Sequence, residues 1–150
     1  MLRAALSPQR IRLQQNAGSK KKALELCAEI LAESNEELNQ DKILEALNAR
    51  EKLGSTALEH GVALPHCRIS GCPKPLCALV TLREGVDFEA RDKQPANLLC
   101  ALIVPEDAAE EHLEILASIA ALLGSEVTRQ AILASTDSSQ LYLEITESQY

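Results

Sequence analysis

At 150 residues the chain is long enough for one domain with a proper core, and its 46% apolar content includes only 2% aromatics and no Trp, so that core is built from Leu, Ile, Val and Ala. The formal net charge of −7 argues against nucleic acid and against anionic membrane as partners, since both select basic surfaces. Five cysteines (Cys27, Cys67, Cys72, Cys77 and Cys100) form no CxxC pair, which suits a reducing compartment rather than a disulfide framework.

Residues 1–18 read as a polar, irregular lead-in ending at Asn16-Ala17-Gly18. Arg3, Ser7-Pro8 and Arg10 interrupt it, and no stretch of the chain approaches membrane-spanning length, so a soluble, cytoplasmic protein is expected. Ser19 is placed as an N-cap, followed by Ala23, Leu26, Cys27, Ile30 and Leu31 at helical spacing. Lys20, Lys21 and Lys22 fall in the first turn, where the helix dipole disfavours cations, and read as a solvated basic patch. A second helix is predicted over Asn39 to Leu53, with Ile43, Leu44 and Leu47 inward and Gly54 as its stop.

The period then changes. Val62 to Leu64, Leu76 to Leu82 and Leu98 to Val104 are short apolar runs bounded by Pro, Gly or Asp. The last two are apolar almost throughout, as in strands covered on both faces, and Val86 to Phe88 adds a further short strand. Asp107 is predicted to open a third long helix, with Glu110 completing a capping box and Gly124 closing it. Ser125 starts a further helix to about Ala134, and Asp137 with Gln140 caps a last one. This order predicts an α/β fold, a three-layer sandwich with a small mixed β-sheet flanked by helices, in a single domain.

Two histidines stand out as candidates for chemistry. Pro65 fixes its own φ and pushes Leu64 into extended conformation, so His66 leaves the short strand in a defined direction. A neutral imidazole is a nucleophile at physiological pH, because its ordinary pKa lies close to neutrality. His112 precedes Ile115, Leu116 and Ile119 by three, four and seven positions, which puts it at the edge of a buried stripe and within reach of a sheet end. Spacing permits the two to converge without requiring it. Arg50, near the end of the second helix, serves either as a dipole-compensating surface residue or as a bidentate phosphate clamp. Ser55 and Thr56 add hydroxyls, and Gly54 and Gly61 let backbone N–H groups approach an anion. No Gly-x-x-x-x-Gly-Lys-Ser/Thr run is present, so the loop is not a nucleotide cradle of that kind. His60, His66, Cys67 and Cys72 match no common zinc spacing, and Cys67 as a nucleophile with a neighbouring histidine base is disfavoured because adjacent residues on extended chain face opposite ways.

Taken together, Arg50-Glu51-Lys52-Leu53-Gly54-Ser55-Thr56, Gly61-Val62-Ala63-Leu64-Pro65-His66, Asp87-Phe88-x-Ala90-x-Asp92-x-x-Pro95, Leu98-Leu99 and His112-Leu113-x-x-Leu116 resemble the phosphotransferase-system enzyme IIA family of the mannitol/fructose/nitrogen type, the nitrogen-regulatory branch most of all. The resemblance runs from about Ser19 to Ile145. It implies that His66 is the phosphorylated histidine, taking the phosphoryl group from an HPr-like phosphohistidine carrier of the nitrogen branch. It further implies that His112 hydrogen-bonds the phosphoryl group, with Arg50 as phosphate clamp and Thr56 as a second hydrogen-bonding group. No cofactor, metal or nucleotide is called for, since donor and acceptor are both imidazoles.

The chain departs from the family pattern in carrying Ala57-Leu58-Glu59-His60 where a Gly-x-Gly-Asn-like run is usual, and Cys67 where Gly is common. Glu59 is expected to face solvent, away from a phosphoryl dianion. Leu53, Leu58, Leu64 and Ile69 are candidates for an apolar docking rim, or simply for core. The function implied is a phosphocarrier whose phosphorylation state regulates target proteins such as kinases or transporters. The alternatives are a IIA component passing phosphate to a sugar-permease IIB domain, and a docking module without phosphotransfer.

Overall fold

A computed structural model of the chain describes residues 2–108 and 110–147, the side chains of Glu110 and Glu111 excepted. The elements run α1 (Leu2–Ala5), a 3-10 turn (Pro8–Arg10), β1 (Ile11–Gln15), α2 (Lys20–Glu33), α3 (Gln40–Lys52), β2 (Val62–Ala63), β3 (His66–Ile69), β4 (Leu76–Val86), β5 (Ala96–Pro105), α4 (Glu110–Leu123), α5 (Glu126–Ala134) and α6 (Ser138–Glu147). Among the described residues the strands form one mixed sheet in the order β1-β4-β5-β2, with β3 also paired to β5. β4 and β5 are antiparallel, β1 is parallel to β4, and β2 and β3 are parallel to β5.

The central strands β4 and β5 are covered on both sides, which is why they read as continuous apolar runs. On one face Leu24 and Leu31 of α2 and Ile43 and Leu47 of α3 pack with Val80, Phe88, Leu99 and Ile103. On the other, Ile115 and Ile119 of α4, Ile132 of α5 and Leu141 of α6 pack with Leu79, Leu98 and Leu102. The predicted three-layer α/β sandwich is therefore present. All five cysteines are buried thiols, two of them (Cys77 and Cys100) in sulfur contact at 2.9 Å.

Local chemistry accounts for most helix boundaries. Ser19 Oγ accepts from Lys22 N at 3.1 Å, Asn39 Oδ1 from Lys42 N at 3.1 Å, Ser125 Oγ from Thr128 N at 3.3 Å and Asp137 Oδ1 from Gln140 N at 3.1 Å. Gly54 stops α3 with its N–H on Glu51 O at 3.1 Å and φ of 154°. The helix expected from Asp107 begins instead at Glu110, and the proposed capping box rests on the Glu110 side chain, outside the described residues.

The N-terminal segment is structured rather than an irregular lead-in. β1 adds a parallel edge strand, and Leu2, Ala5, Leu6 and Ile11 are buried. Arg10 supplies what polarity concealed: its guanidinium donates to Cys77 O at 3.1 Å and Ala5 O at 3.0 Å, so a charged residue ties the segment to the sheet. Val86 is the end of β4, reached across an irregular register, not part of a separate strand with Phe88.

His66 does not leave the sheet at all. β2 and β3 keep one register against β5, with Val62 opposite Leu98 and His66 opposite Leu102. Pro65 lacks an N–H and interrupts the strand, yet its carbonyl still accepts from Leu102 N at 2.9 Å. Alternation puts Ala63, Cys67 and Ile69 into the α2–α3 core, and Val62 and Leu64 into the α4–α6 core. His66 and Arg68 share the latter side, where the core runs out.

The turn into β2 has His60 at φ 67° and Gly61 at φ 79°. A Cβ on Gly61 would lie 3.0 Å from Asn97 Oδ1 and 3.1 Å from Pro95 O, while the Gly61 carbonyl accepts from Asn97 N and Leu98 N. Gly61→Ala is expected to lower stability by about 1–2 kcal/mol or more, the cost of left-handed backbone for an L-residue plus the crowding. Urea denaturation checks this, and an unchanged midpoint would contradict the turn geometry.

Candidate functional site

His66 and His112 come together. Their ring centroids are 5.5 Å apart at an interplanar angle of 79°, an edge-to-face contact. His66 is presented by β3 and His112 by the first turn of α4, so both rings sit where the sheet meets a helix N-terminus. Unpaired N–H groups and the positive end of the helix dipole favour an anion there.

One hydrogen bond fixes the chemistry of His66. Its Nδ1 lies 2.7 Å from the Leu64 carbonyl. A carbonyl can only accept, so in the neutral ring Nδ1 carries the proton and Nε2 keeps its lone pair. Burial lowers the pKa of His66 from the ordinary 6.5; the Leu64 carbonyl opposes this, Arg50 adds to it, and Glu51 opposes it. His112 is also held below 6.5, by burial first and then by His66 and Arg68. Among the described residues, Nδ1 of His112 is buried without a hydrogen-bond partner. Two adjacent imidazoles thus both favour the neutral form, with lone pairs available.

The remaining predicted residues take different positions. Arg50 bears electrostatically on His66, while its Nη1 donates to Gly54 O at 2.8 Å and so closes the end of α3. Both readings of this residue have a physical basis. The Thr56 hydroxyl donates to Glu51, and Thr56 N approaches the same carboxylate at 3.2 and 3.3 Å. Among the described residues, no hydrogen bond joins Thr56 to the His66 ring. Glu59 is exposed and lies 3.7 Å from His60, directed to solvent as expected. His60 is held by its backbone, whose N–H donates to Asp92 Oδ2 at 2.8 Å. Burial pushes the Cys67 thiol up to about 12, so it is no thiolate nucleophile near neutrality.

Three residues escaped the sequence reading. Glu51 has a side chain only 6% exposed, paired with Lys20 Nζ at 2.7 Å. Lys20 also lies over the Phe88 ring at 5.1 Å, so it leaves the solvated patch assigned to it, whereas Lys21 and Lys22 are exposed. The signal was present in the basic first turn, an unfavourable placement that a buried carboxylate compensates. Arg68 donates to the carbonyls of Glu106 (3.3 Å) and Ala108, bracing the segment that leads into α4 beside His112. Of the suggested docking rim, Leu53 is 85% and Leu58 38% exposed, while Leu64 and Ile69 are core; Leu113, next to His112, is also exposed, at 67%.

The chain matches the family model described as "Phosphoenolpyruvate-dependent sugar phosphotransferase system, EIIA 2" over residues 4–148. It is 43% identical over 148 residues to a nitrogen regulatory protein of Pseudomonas aeruginosa, covering 99% of this chain and 96% of that protein. It is 32% identical over 123 residues to a fructose-specific EIIA component of Haloferax volcanii, covering 82% and 80% respectively. Its fold superposes on the crystal structure of nitrogen regulatory protein IIA-Ntr from Neisseria meningitidis with a TM-score of 0.88 at 35% identity, covering 96% of this chain and 98% of that one. It is also similar, at TM-score 0.78 and 23% identity over 95% and 97% of the two chains, to enzyme IIAMTL of Escherichia coli in complex with phosphorylated enzyme IIBMTL, a likeness of fold alone.

The electrostatics predict a titration experiment. In NMR, His66 and His112 are each expected to protonate below pH 6.5, and His66→Ala should move the His112 midpoint upward without fully restoring it, because burial remains. An unmoved midpoint would mean that the two rings do not interact.

Proposed function

The chain belongs to the phosphoenolpyruvate-dependent sugar phosphotransferase system EIIA 2 family, and from that membership we propose that it is a cytoplasmic phosphocarrier of the nitrogen-regulatory type. In this reading His66 accepts a phosphoryl group from an HPr-like phosphohistidine carrier, and its phosphorylation state regulates target proteins such as kinases or transporters. The observation that carries the proposal is the His66–His112 pair, with the proton of His66 held on Nδ1 by the Leu64 carbonyl.

The reaction follows from that tautomer. The Nε2 lone pair of His66 attacks the phosphorus of the donor phosphohistidine, in line with the breaking P–N bond. A new P–N bond forms at Nε2, and the electron pair of the old bond returns to the donor imidazole. Each phosphorylated ring carries a proton on the nitrogen remote from phosphorus, so the donor leaves neutral and His66 keeps its proton on Nδ1. The Leu64 carbonyl then stabilises the positive character the ring acquires. His112, Arg50 and the N-terminal amides of α4 are suited to the equatorial oxygens, whereas the hydroxyl and the N–H of Thr56 are both held by Glu51, so Thr56 meets a phosphoryl oxygen only when one of them leaves that carboxylate. Leu53 at the end of α3, Leu58 in the loop that follows and Leu113 on α4 offer a partner exposed apolar side chains.

The likeness to a fructose-specific EIIA component supports a second reading, in which His66 passes its phosphoryl group on to a IIB domain. Incubating phosphorylated protein with such a domain separates the two: rapid loss of label to it supports the sugar branch, and retention supports regulation.

Intact-mass spectrometry after incubation with phosphoenolpyruvate, the general phosphotransferase enzyme and an HPr-like carrier tests the proposal directly. One acid-labile phosphoryl group is expected, absent in His66→Ala; a His66→Ala chain that labels fully would sink it. His112→Ala should slow labelling by about 10- to 1000-fold, the range for loss of one donor to developing charge. Because the pKa of His66 is lowered, its neutral form persists as pH falls, so the acid limb of the labelling rate should lie below 6.5 rather than at it.

A further inference from the structure

From His66 a continuous set of contacts reaches an ion pair between α2 and α3, Lys20 with Glu51, whose side chains are 21% and 6% exposed. Lys20 Nζ meets one oxygen of Glu51 at 2.7 Å. The Glu51 carboxylate accepts from both the hydroxyl and the N–H of Thr56. The Thr56 carbonyl accepts from Leu64 N at 3.0 Å, and the Leu64 carbonyl accepts from His66 Nδ1 at 2.7 Å. A carboxylate 6% exposed is costly to bury unless it is paired and hydrogen-bonded, and here it is both. Apart from the Lys20 ammonium, the groups that meet this carboxylate both belong to Thr56, the residue whose carbonyl takes the Leu64 N–H.

We propose that Glu51 is a positioning residue for phosphoryl transfer: through Thr56 and Leu64 it holds the carbonyl that keeps His66 in its Nδ1–H tautomer. This rests on the phosphocarrier reading and deepens it. Leu64 precedes a proline and its N–H is held by the Thr56 carbonyl, so the placement of its own carbonyl follows how the Thr56–Leu58 segment lies along the strand. Leu58 N donates to Val62 O at 2.7 Å and Ala57 bridges Ala63, so that segment is paired to the strand but is anchored to α3 by Glu51. With the anchor gone, the segment and the carbonyl beyond it gain freedom. The ring then relaxes toward the Nε2–H form, in which the nitrogen facing the donor carries a proton and cannot attack. The same chain explains why a lysine occupies the wrong end of α2: Lys20 supplies the charge that makes a buried Glu51 tolerable.

Two-dimensional 15N NMR of the histidine rings at pH 8, where the ring is neutral, reads the tautomer directly. The protein is compared with Glu51→Ala, Glu51→Gln and Ile132→Val, the last a mild core destabilisation in the other layer. The wild-type His66 is expected in the Nδ1–H form, as is Ile132→Val. Glu51→Ala should populate the Nε2–H form, while Glu51→Gln, which keeps an acceptor for Thr56, retains most of the wild-type pattern. The rate of labelling at saturating carrier should fall about tenfold or more in Glu51→Ala, as for loss of a group that orients a functional histidine, with KM for the carrier little changed. If Glu51→Ala does not fold, Glu51→Asp is read by the same criteria, since it keeps the charge but shortens the reach to Thr56. An unchanged His66 tautomer in the folded variant overturns the proposal. A wild-type chain that takes no phosphoryl group overturns the phosphocarrier reading instead, and the tautomer comparison still decides the placement of Glu51.

Discussion

The bond from His66 Nδ1 to the Leu64 carbonyl spans two residues, and much of the surrounding structure serves to make it possible. The donor and acceptor flank a proline, which removes one N–H from the ladder and restricts the residue before it. β5 supplies the compensation, since Leu102 N reaches the Pro65 carbonyl and the register continues through the break. A strand without the proline would commit the Leu64 carbonyl and the His66 ring to ordinary sheet geometry. The interruption is therefore what turns an edge-strand histidine into one with a fixed proton.

Charge is arranged on the same principle of local provision against a contrary average. The chain carries −7 overall, yet the two histidines are flanked by Arg50 and Arg68 and lie at the positive end of α4. Both arginines donate to backbone carbonyls at chain ends and turns, so their guanidinium groups are held in place before any anion arrives. Charge held in this way suits an anion bound beside the histidines better than mobile surface lysines do, because little reorganisation is needed. The acidic remainder of the surface disfavours indiscriminate binding of polyanions.

The sequence revealed the elements that obey a single local rule. Capped helices announced themselves through Ser19, Asn39, Ser125 and Asp137, and β4 and β5 through unbroken apolar runs. β1 was hidden because an edge strand beside Arg10 and Arg12 is half polar, and its partner strand is distant in sequence, Ile11 lying opposite Leu79, beyond any local pattern. β3 was hidden by the proline before it and by its functional face, since His66 and Arg68 break the apolar alternation that Cys67 and Ile69 would otherwise display. The candidate site divides in the same way. His66, His112 and Arg50 were legible because their residue types carry chemistry, and the pairing of two rings from β3 and α4 became visible only with the fold.

Glu51 shows why a supporting residue is harder to read than a reacting one. In sequence it lies between Arg50 and Lys52 near the end of a helix, where a carboxylate opposes the dipole and looks like solvated charge balance. Lys20 looks equally misplaced at the start of α2. Each local placement is unfavourable, and each is explained by the other once the helices are packed, because the two opposite charges then lie 2.7 Å apart and each supplies the partner the other needs. Two misplaced charges of opposite sign, on helices brought together by their apolar faces, are thus a better sign of a buried anchor than either residue is alone. The anchor's hydrogen bonds then run toward the loop of the reactive histidine rather than into the core. A carboxylate that served stability alone would accept these hydrogen bonds equally well, so the His66 tautomer in the Glu51 variants is what separates positioning from general stabilisation.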